Sequence, residues 1–189
     1  MFEPVSADAL QGAKKEAEAE VFRLEYRRLY SVEADLRQFA RWKRGERAAI
    51  EDQDDEYRRE LRALRERGVR SVRVRIVDFP IEDYLRYEID YYRASEPSGE
   101  EVFFIERAPA IDCMQETVVT QDFWLFDGKV VLLWKYTKEG QRDGQEESSD
   151  EETVDSYREL RDCLLRRALR MDDFIDRYRQ SFSAASTPA

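Results

Sequence analysis

The residues with the types and spacing to do chemistry fall in two parts of this 189-residue chain. In 81–93, Ile81, Leu85 and Ile89 form one helical stripe, and Tyr84, Tyr87, Tyr91 and Tyr92 form an adjoining one, with Glu88 between them. A carboxyl group among aromatic rings loses hydration, which raises its pKa and suits it to general acid or base work. The competing expectation is that Glu88 accepts a tyrosine hydrogen bond or pairs with Arg73 or Arg75. Those two arginines stand two apart on a strand and project the same way, so they could clamp a carboxylate or phosphate. In a chain with 42 acidic residues, they are expected instead to meet Asp and Glu of a covering helix. The second part is 122–136, where Asp122, Trp124 and Phe126 share one face of a strand and could line a pocket mouth.

The elements that must position these residues follow from pattern. Asp127-Gly128 between two apolar runs signals a two-residue turn, pairing Phe126 with Lys129, Trp124 with Val131 and Phe123 with Leu132. One face then carries Phe123, Leu125, Val130, Leu132 and Trp134, and is expected on the C-terminal helix. The other carries Trp124, Phe126, Val131 and Leu133, with the 81–93 helix as neighbour. Phe22, Leu24 and Tyr26 alternate as the buried side of a strand, and Val72, Val74 and Ile76 as another. Helices are expected at 32–44 and 56–67, closed by Gly45 and Gly68, with a short strand at 102–105. Residues 107–121 read as irregular, 138–152 as a mobile acidic loop, and 153–178 as one long helix. Its stripe is wide and interrupted by Arg161, so it suits packing across a sheet better than a coiled coil. The sum is an α+β domain at 21–180 with a mainly antiparallel sheet, the Asp-Gly hairpin central, helices on its faces and a long C-terminal helix. Residues 1–20 read as a helical or frayed leader with Ser6 as N-cap, and 181–189 as a disordered tail.

Composition removes whole classes of function. There is no histidine, which excludes Ser-His-Asp and Cys-His catalysis, histidine zinc sites and histidine acid/base chemistry. Charged residues make up 39% and the net charge is −10, which opposes direct binding to nucleic acid or anionic membrane. Two local exceptions are Arg41, Lys43, Arg44 and Arg47, and the arginines at 65, 67, 70, 73 and 75. Cys113 and Cys163 have no metal-like spacing and are expected as reduced, partly buried thiols of a cytoplasmic protein, with a disulfide or a reactive thiol as the alternative. No apolar run reaches the ~20 residues of a membrane span, and the N-terminus lacks a secretion-signal pattern. No phosphate loop, dinucleotide fingerprint, nucleophile elbow or calcium loop is present. No metal and no cofactor are expected, and Asp122 with Glu88 has no spacing that supports a Mg²⁺ nuclease.

Three segments carry a family resemblance: Phe22-Arg23-Leu24-Glu25; Val72-Arg73-Val74-Arg75-Ile76-Val77 with Pro80-Ile81-Glu82-Asp83-Tyr84-Leu85-Arg86-Tyr87-Glu88; and Asp122-Phe123-Trp124-Leu125-Phe126-Asp127. Together they resemble the DUF6879 domain family across about residues 20–180. The resemblance implies an actinobacterial cytoplasmic protein, often encoded beside helix-turn-helix regulators, with a regulatory or toxin–antitoxin-like accessory role. It carries over no catalytic residue.

Two functional expectations result. The first is a non-enzymatic accessory or regulatory protein that binds a protein partner, such as a helix-turn-helix regulator, or a small ligand. Its acidic surface would complement a basic partner. The alternative is a small-molecule enzyme or ligand-binding domain with an aromatic pocket, drawing on Arg73, Arg75, Tyr84, Tyr87, Glu88, Tyr91, Asp122, Trp124 and Phe126.

Overall fold

The computed structural model describes residues 1–46, 56–114 and 121–183. Alternating residues build an eight-stranded sheet: β1 (Glu3–Val5), β2 (Glu20–Glu25), β3 (Arg70–Val77), β4 (Glu100–Glu106), β5 (Phe123–Phe126), β6 (Val130–Tyr136), β7 (Arg142–Ser148) and β8 (Leu169–Arg170). Their order is β1-β7-β6-β5-β2-β3-β4-β8. Only β2–β3 and β3–β4 run parallel; the remaining neighbours are antiparallel. The fold is therefore α+β with a mainly antiparallel sheet. Its helices are α1 (Ala9–Glu16), α2 (Glu33–Lys43), α3 (Glu56–Glu66), α4 (Asp83–Ser95), α5 (Arg107–Cys113), α6 (Glu151–Arg167), α7 (Met171–Arg177) and α8 (Arg179–Ser183).

Side-chain alternation sorts the core into layers. Phe22, Leu24, Val72, Val74, Ile76 and Ile105 point to one face, where Val154, Tyr157, Leu160 and Leu164 of α6 cover them. On the opposite face, α4 and α7 cover Val102 and Phe104, and α1 and α3 cover Val21, Trp124 and Phe126. Between these last two apolar clusters the second face presents charged side chains: Arg23 and Glu25 from β2, Arg73 and Arg75 from β3, and Glu100 from β4. All but Arg23 are buried. The arginines that the sequence pattern turns outward thus lie inside the molecule.

Several expectations are corrected. Phe126 pairs with Val130, Leu125 with Val131, Trp124 with Leu132 and Phe123 with Leu133. Three residues, Asp127, Gly128 and Lys129, therefore lie between β5 and β6. This one-residue shift exchanges the faces of β6, because side-chain direction has period two: Val131 and Leu133 join Phe123 and Leu125 under α6, and Leu132 joins Trp124 and Phe126. The latter group meets α1 and α3, not α4. Asp127 does more than turn the chain. At φ 51 its carboxylate accepts the backbone N–H groups of Glu18, Ala19 and Glu20 at 2.8–2.9 Å.

The supposed leader is part of the fold, since β1 pairs with β7, and Asp8 rather than Ser6 occupies the N-cap of α1. Residues 107–113 form α5; Pro109 falls in its first turn, where a missing N–H costs nothing. The expected acidic loop contains β7, held between β6 and β1. The long C-terminal helix stops at Ala168, whose ψ of 152° is extended, so that Leu169 and Arg170 pair with β4 before α7 begins. Cys113 and Cys163 form a disulfide joining α5 to α6, with Cα atoms 5.7 Å apart, not two free thiols. No helix of the described residues is long and apolar enough to cross a membrane. Of the expected disordered tail at 181–189, residues 181–183 belong to α8; residues 184–189, Arg47 and the 115–120 part of the segment expected as irregular lie outside the described residues.

Candidate functional site

The charged strip on the second face is a closed hydrogen-bond network. Arg23 and Arg73 are direct neighbours across β2 and β3, a repulsive placement that needs an anion between them. Glu25 supplies it: its Oε1 accepts Arg23 Nη2 at 2.8 Å and Arg73 Nη1 at 2.6 Å, and its Oε2 accepts the Tyr92 hydroxyl at 2.5 Å. Arg73 spends its other donors on Glu100 (2.7 Å) and the Tyr57 hydroxyl (2.8 Å). Glu100 in turn accepts Tyr57 and Ser95. Burial alone would raise the pKa of Glu25, but Arg23, Arg73 and Arg75 together bring it down to about 2. It is an ionised, fully engaged carboxylate.

Arg75 fastens the network to helix and loop. Its Nε and Nη2 donate to Glu88 Oε2 at 3.0 and 2.7 Å, and its remaining donors hold the carbonyls of Arg27 and Arg28. Both bonds to Glu88 fall on Oε2, so Oε1 engages no donor among the described residues. Burial raises the pKa of Glu88 to about 8 despite Arg75, with Glu25 and Asp35 adding in the same direction. Two carboxyl groups of one cluster are thereby held in opposite protonation tendencies, the arrangement from which acid and base roles are assigned when a substrate is present.

Above this floor lies a cavity of about 270 Å³, walled by α2, α4, the segment after β2, and side chains of β2 and β3. Glu25, Arg73, Tyr84, Tyr87 and Glu88 line it, as do Tyr30 and Asp35. The α2 wall carries the informative group. Asp35 accepts the hydroxyls of Tyr84 and Tyr87, the latter at 2.8 Å, and no lysine or arginine among the described residues pairs with it. Its pKa is raised, by burial first. The hydroxyls of Tyr84 and Tyr87 are held protonated by burial and by carboxylates including Asp35. Phe39 packs against both rings, with centroids 5.2 and 5.5 Å away, and positions them from behind. Two lining residues keep a buried polar atom without a partner, Arg23 Nε and the Tyr30 hydroxyl, and Tyr30 is only 7% exposed.

Of the residues singled out from sequence, Arg73, Tyr84, Tyr87, Glu88 and Tyr91 come together around this cavity. Arg75 lies behind it, joined through Glu88. Asp122, Trp124 and Phe126 do not line it. Asp122 is fully buried and holds the Tyr26 N–H and the Tyr136 hydroxyl. Trp124 carries the Arg23 guanidinium at 4.8 Å and Lys14 Nζ at 5.0 Å over its ring and packs with Phe126 in the apolar layer. Sequence reasoning missed Arg23, Glu25, Tyr30, Asp35 and Tyr57. The Arg23-Glu25 spacing on β2 mirrors Arg73-Arg75 on β3 and was the available signal; nothing local marked Asp35. The arginines offered as a basic surface are otherwise committed: Arg67 holds carbonyls at the end of α1, Arg70 is paired with Glu101 and Glu20, and Arg65 holds the Pro97 carbonyl. Among the described residues no group of three or more Asp, Glu or Cys is placed to hold a metal ion.

Comparison with known proteins agrees with the architecture. The crystal structure of Nuc, a phospholipase D family member from Salmonella typhimurium, superposes with a TM-score of 0.50 over 89% of this chain and 93% of that one, at 13% identity. At that identity the likeness concerns the fold alone. No curated protein matches the sequence. The family model for the domain of unknown function DUF6879 matches residues 8–176, and the chain belongs to that family.

Proposed function

We propose that this chain is a non-enzymatic, small-ligand-binding regulatory domain, with the cavity between α2, α4 and the sheet as its binding site. The observation that carries the reading is the contrast between floor and wall. On the floor, Arg73, Glu25 and Glu100 are engaged by one another and by Tyr92 and Ser95, which suits a rigid scaffold. On the wall, Asp35 and Glu88 Oε1 retain unused capacity beside aromatic rings, the mixture of apolar surface and few polar groups that small-molecule sites share. A protein partner, such as a helix-turn-helix regulator, would read the liganded state, and the net charge of −10 would favour a basic one. Actinobacterial origin and a cytoplasmic location belong to the same reading, and the location is constrained by the disulfide, a bond rare in reducing compartments. The opposed protonation of Glu25 and Glu88 favours a second reading, acid/base catalysis in the same cavity.

The test is a thermal-shift screen of a chemically broad fragment library against the native chain and Ala34→Trp. Ala34 is an exposed lining residue, so tryptophan there is chosen to obstruct the cavity while every residue of the buried network is kept. Fragments that stabilise the native chain but not the variant support the reading. If no fragment separates the two proteins, the cavity is not a binding site.

A further inference from the structure

We propose that the cavity selects a protonated amine attached to a small aromatic or apolar body, held between Asp35 and Glu88. The proposal rests on the small-ligand reading above and specifies its ligand. The charges around the cavity decide the sign. Arg23 and Arg73 share Glu25, and Arg73 also holds Glu100. Arg75 is matched by Glu88. Arg142, the remaining lining arginine, is exposed and lies with its guanidinium 4.3 Å from the Trp134 ring, at the edge of the cavity. Asp35 is left as an interior carboxylate that no cation neutralises among the described residues.

Of the open hydrogen-bonding capacity, that of Asp35 and Glu88 has the same sign, and Arg23 Nε, an unpartnered donor, has the other. Asp35 receives only two tyrosine hydroxyls, and Glu88 Oε1 engages no donor among the described residues. A ligand N–H group supplies what both lack, and a charged donor makes such bonds about twice as strong as a neutral one. Four of the lining tyrosines already carry an arginine over the ring: Tyr30, Tyr57, Tyr91 and Tyr92. No lysine or arginine of the described residues is found over Tyr84 or Tyr87, the two rings that flank Asp35. A cation beside Asp35 would therefore meet electron-rich rings that no protein cation occupies. An anion would face Asp35 without compensation. The volume of about 270 Å³ limits the occupant to a compact molecule, at the small end of known ligand sites.

Three probes with one aromatic body separate charge from shape: 2-phenylethylamine, 2-phenylethanol and 3-phenylpropanoate, each titrated into the full chain by calorimetry at pH 7.5. The amine is expected to bind with one-to-one stoichiometry, and the alcohol and the acid at least roughly tenfold more weakly. Asp35→Asn should weaken the amine by about tenfold or more while leaving the alcohol unchanged; Asp35→Glu, which keeps the charge, should retain most of the affinity. Circular dichroism of both variants establishes that they fold. Equal or tighter binding of the alcohol or the acid, an amine affinity indifferent to Asp35→Asn, or no binding of the amine each overturns the proposal. Failure here while other fragments distinguish the native chain from Ala34→Trp would leave the small-ligand reading standing; failure of both would remove it.

Discussion

Replacing Glu25 by glutamine removes one negative charge from the middle of the sheet and changes little else in shape. Arg23 and Arg73, neighbours across two parallel strands, would then face each other with only Glu100 as counter-ion. Two routes give the magnitude. Removing one member of a buried ion pair costs about 3–5 kcal/mol, because the partner charge stays buried and unmatched. Independently, the carboxyl pKa falls from 4.5 unfolded to about 2 folded, which corresponds to about 3 kcal/mol of stability at neutral pH. The sign follows from linkage: a depressed carboxyl pKa contributes fully above 4.5, and the contribution disappears as pH falls through 2. Urea unfolding followed by tryptophan fluorescence should show Glu25→Gln less stable by about 3 kcal/mol at pH 7, with the gap to the native chain closing as pH falls below 4.5. Adding Arg23→Met should recover part of the loss, since it removes one of the two stranded cations. A loss under about 1 kcal/mol, or a gap that does not change with pH, would refute the view that Glu25 is the anion on which this strip depends.

Glu88 predicts the opposite slope. Its folded pKa of about 8 lies above 4.5, so its contribution is full below pH 4.5 and is lost as pH rises through 8; Arg75, Glu25, Asp35 and Tyr84 surround it. Urea midpoints measured from pH 5 to 8 should fall less in Glu88→Gln than in the native chain. Asp127→Ala strips the carboxylate from three backbone N–H groups at a positive φ; equilibrium unfolding should show a loss of about 2–4 kcal/mol. The Cys113–Cys163 bond closes 50 residues, so reduction should lower stability by up to about 4 kcal/mol. Alkylation with mass spectrometry before and after reduction checks the bond, and two thiols reactive in the unreduced native chain would contradict it.

What the sequence disclosed was local. Val72, Val74 and Ile76 alternate cleanly, and the tyrosine stripe of 81–93 repeats with a helical period, so β3, α4 and five of the cavity residues were legible. What it hid depended on distant partners. Arg73 and Arg75 alternate with valines as on a half-exposed strand, yet a sheet covered on both faces can bury arginine where carboxylates from β2, β4 and α4 converge. Asp35 lies on a helix far from Tyr84 and Tyr87 in sequence, and only α2 packing on α4 joins them. β7 reads as an acidic loop because its strand conformation comes from pairing with β6 and β1 rather than from its own residues. The apolar spacing of the C-terminal segment runs past Ala168 without a break, and it is pairing of Leu169 and Arg170 with β4 that stops the helix.

Crystals of the full chain soaked with small amines and with uncharged analogues test the cavity between α2 and α4 most directly. Amine density is expected between Asp35 and Glu88 Oε1, against Tyr84 and Tyr87, with Arg73 and Glu25 unmoved beneath it. Density for the amines only in other surface grooves, with this cavity closed by its own side chains, would contradict that expectation.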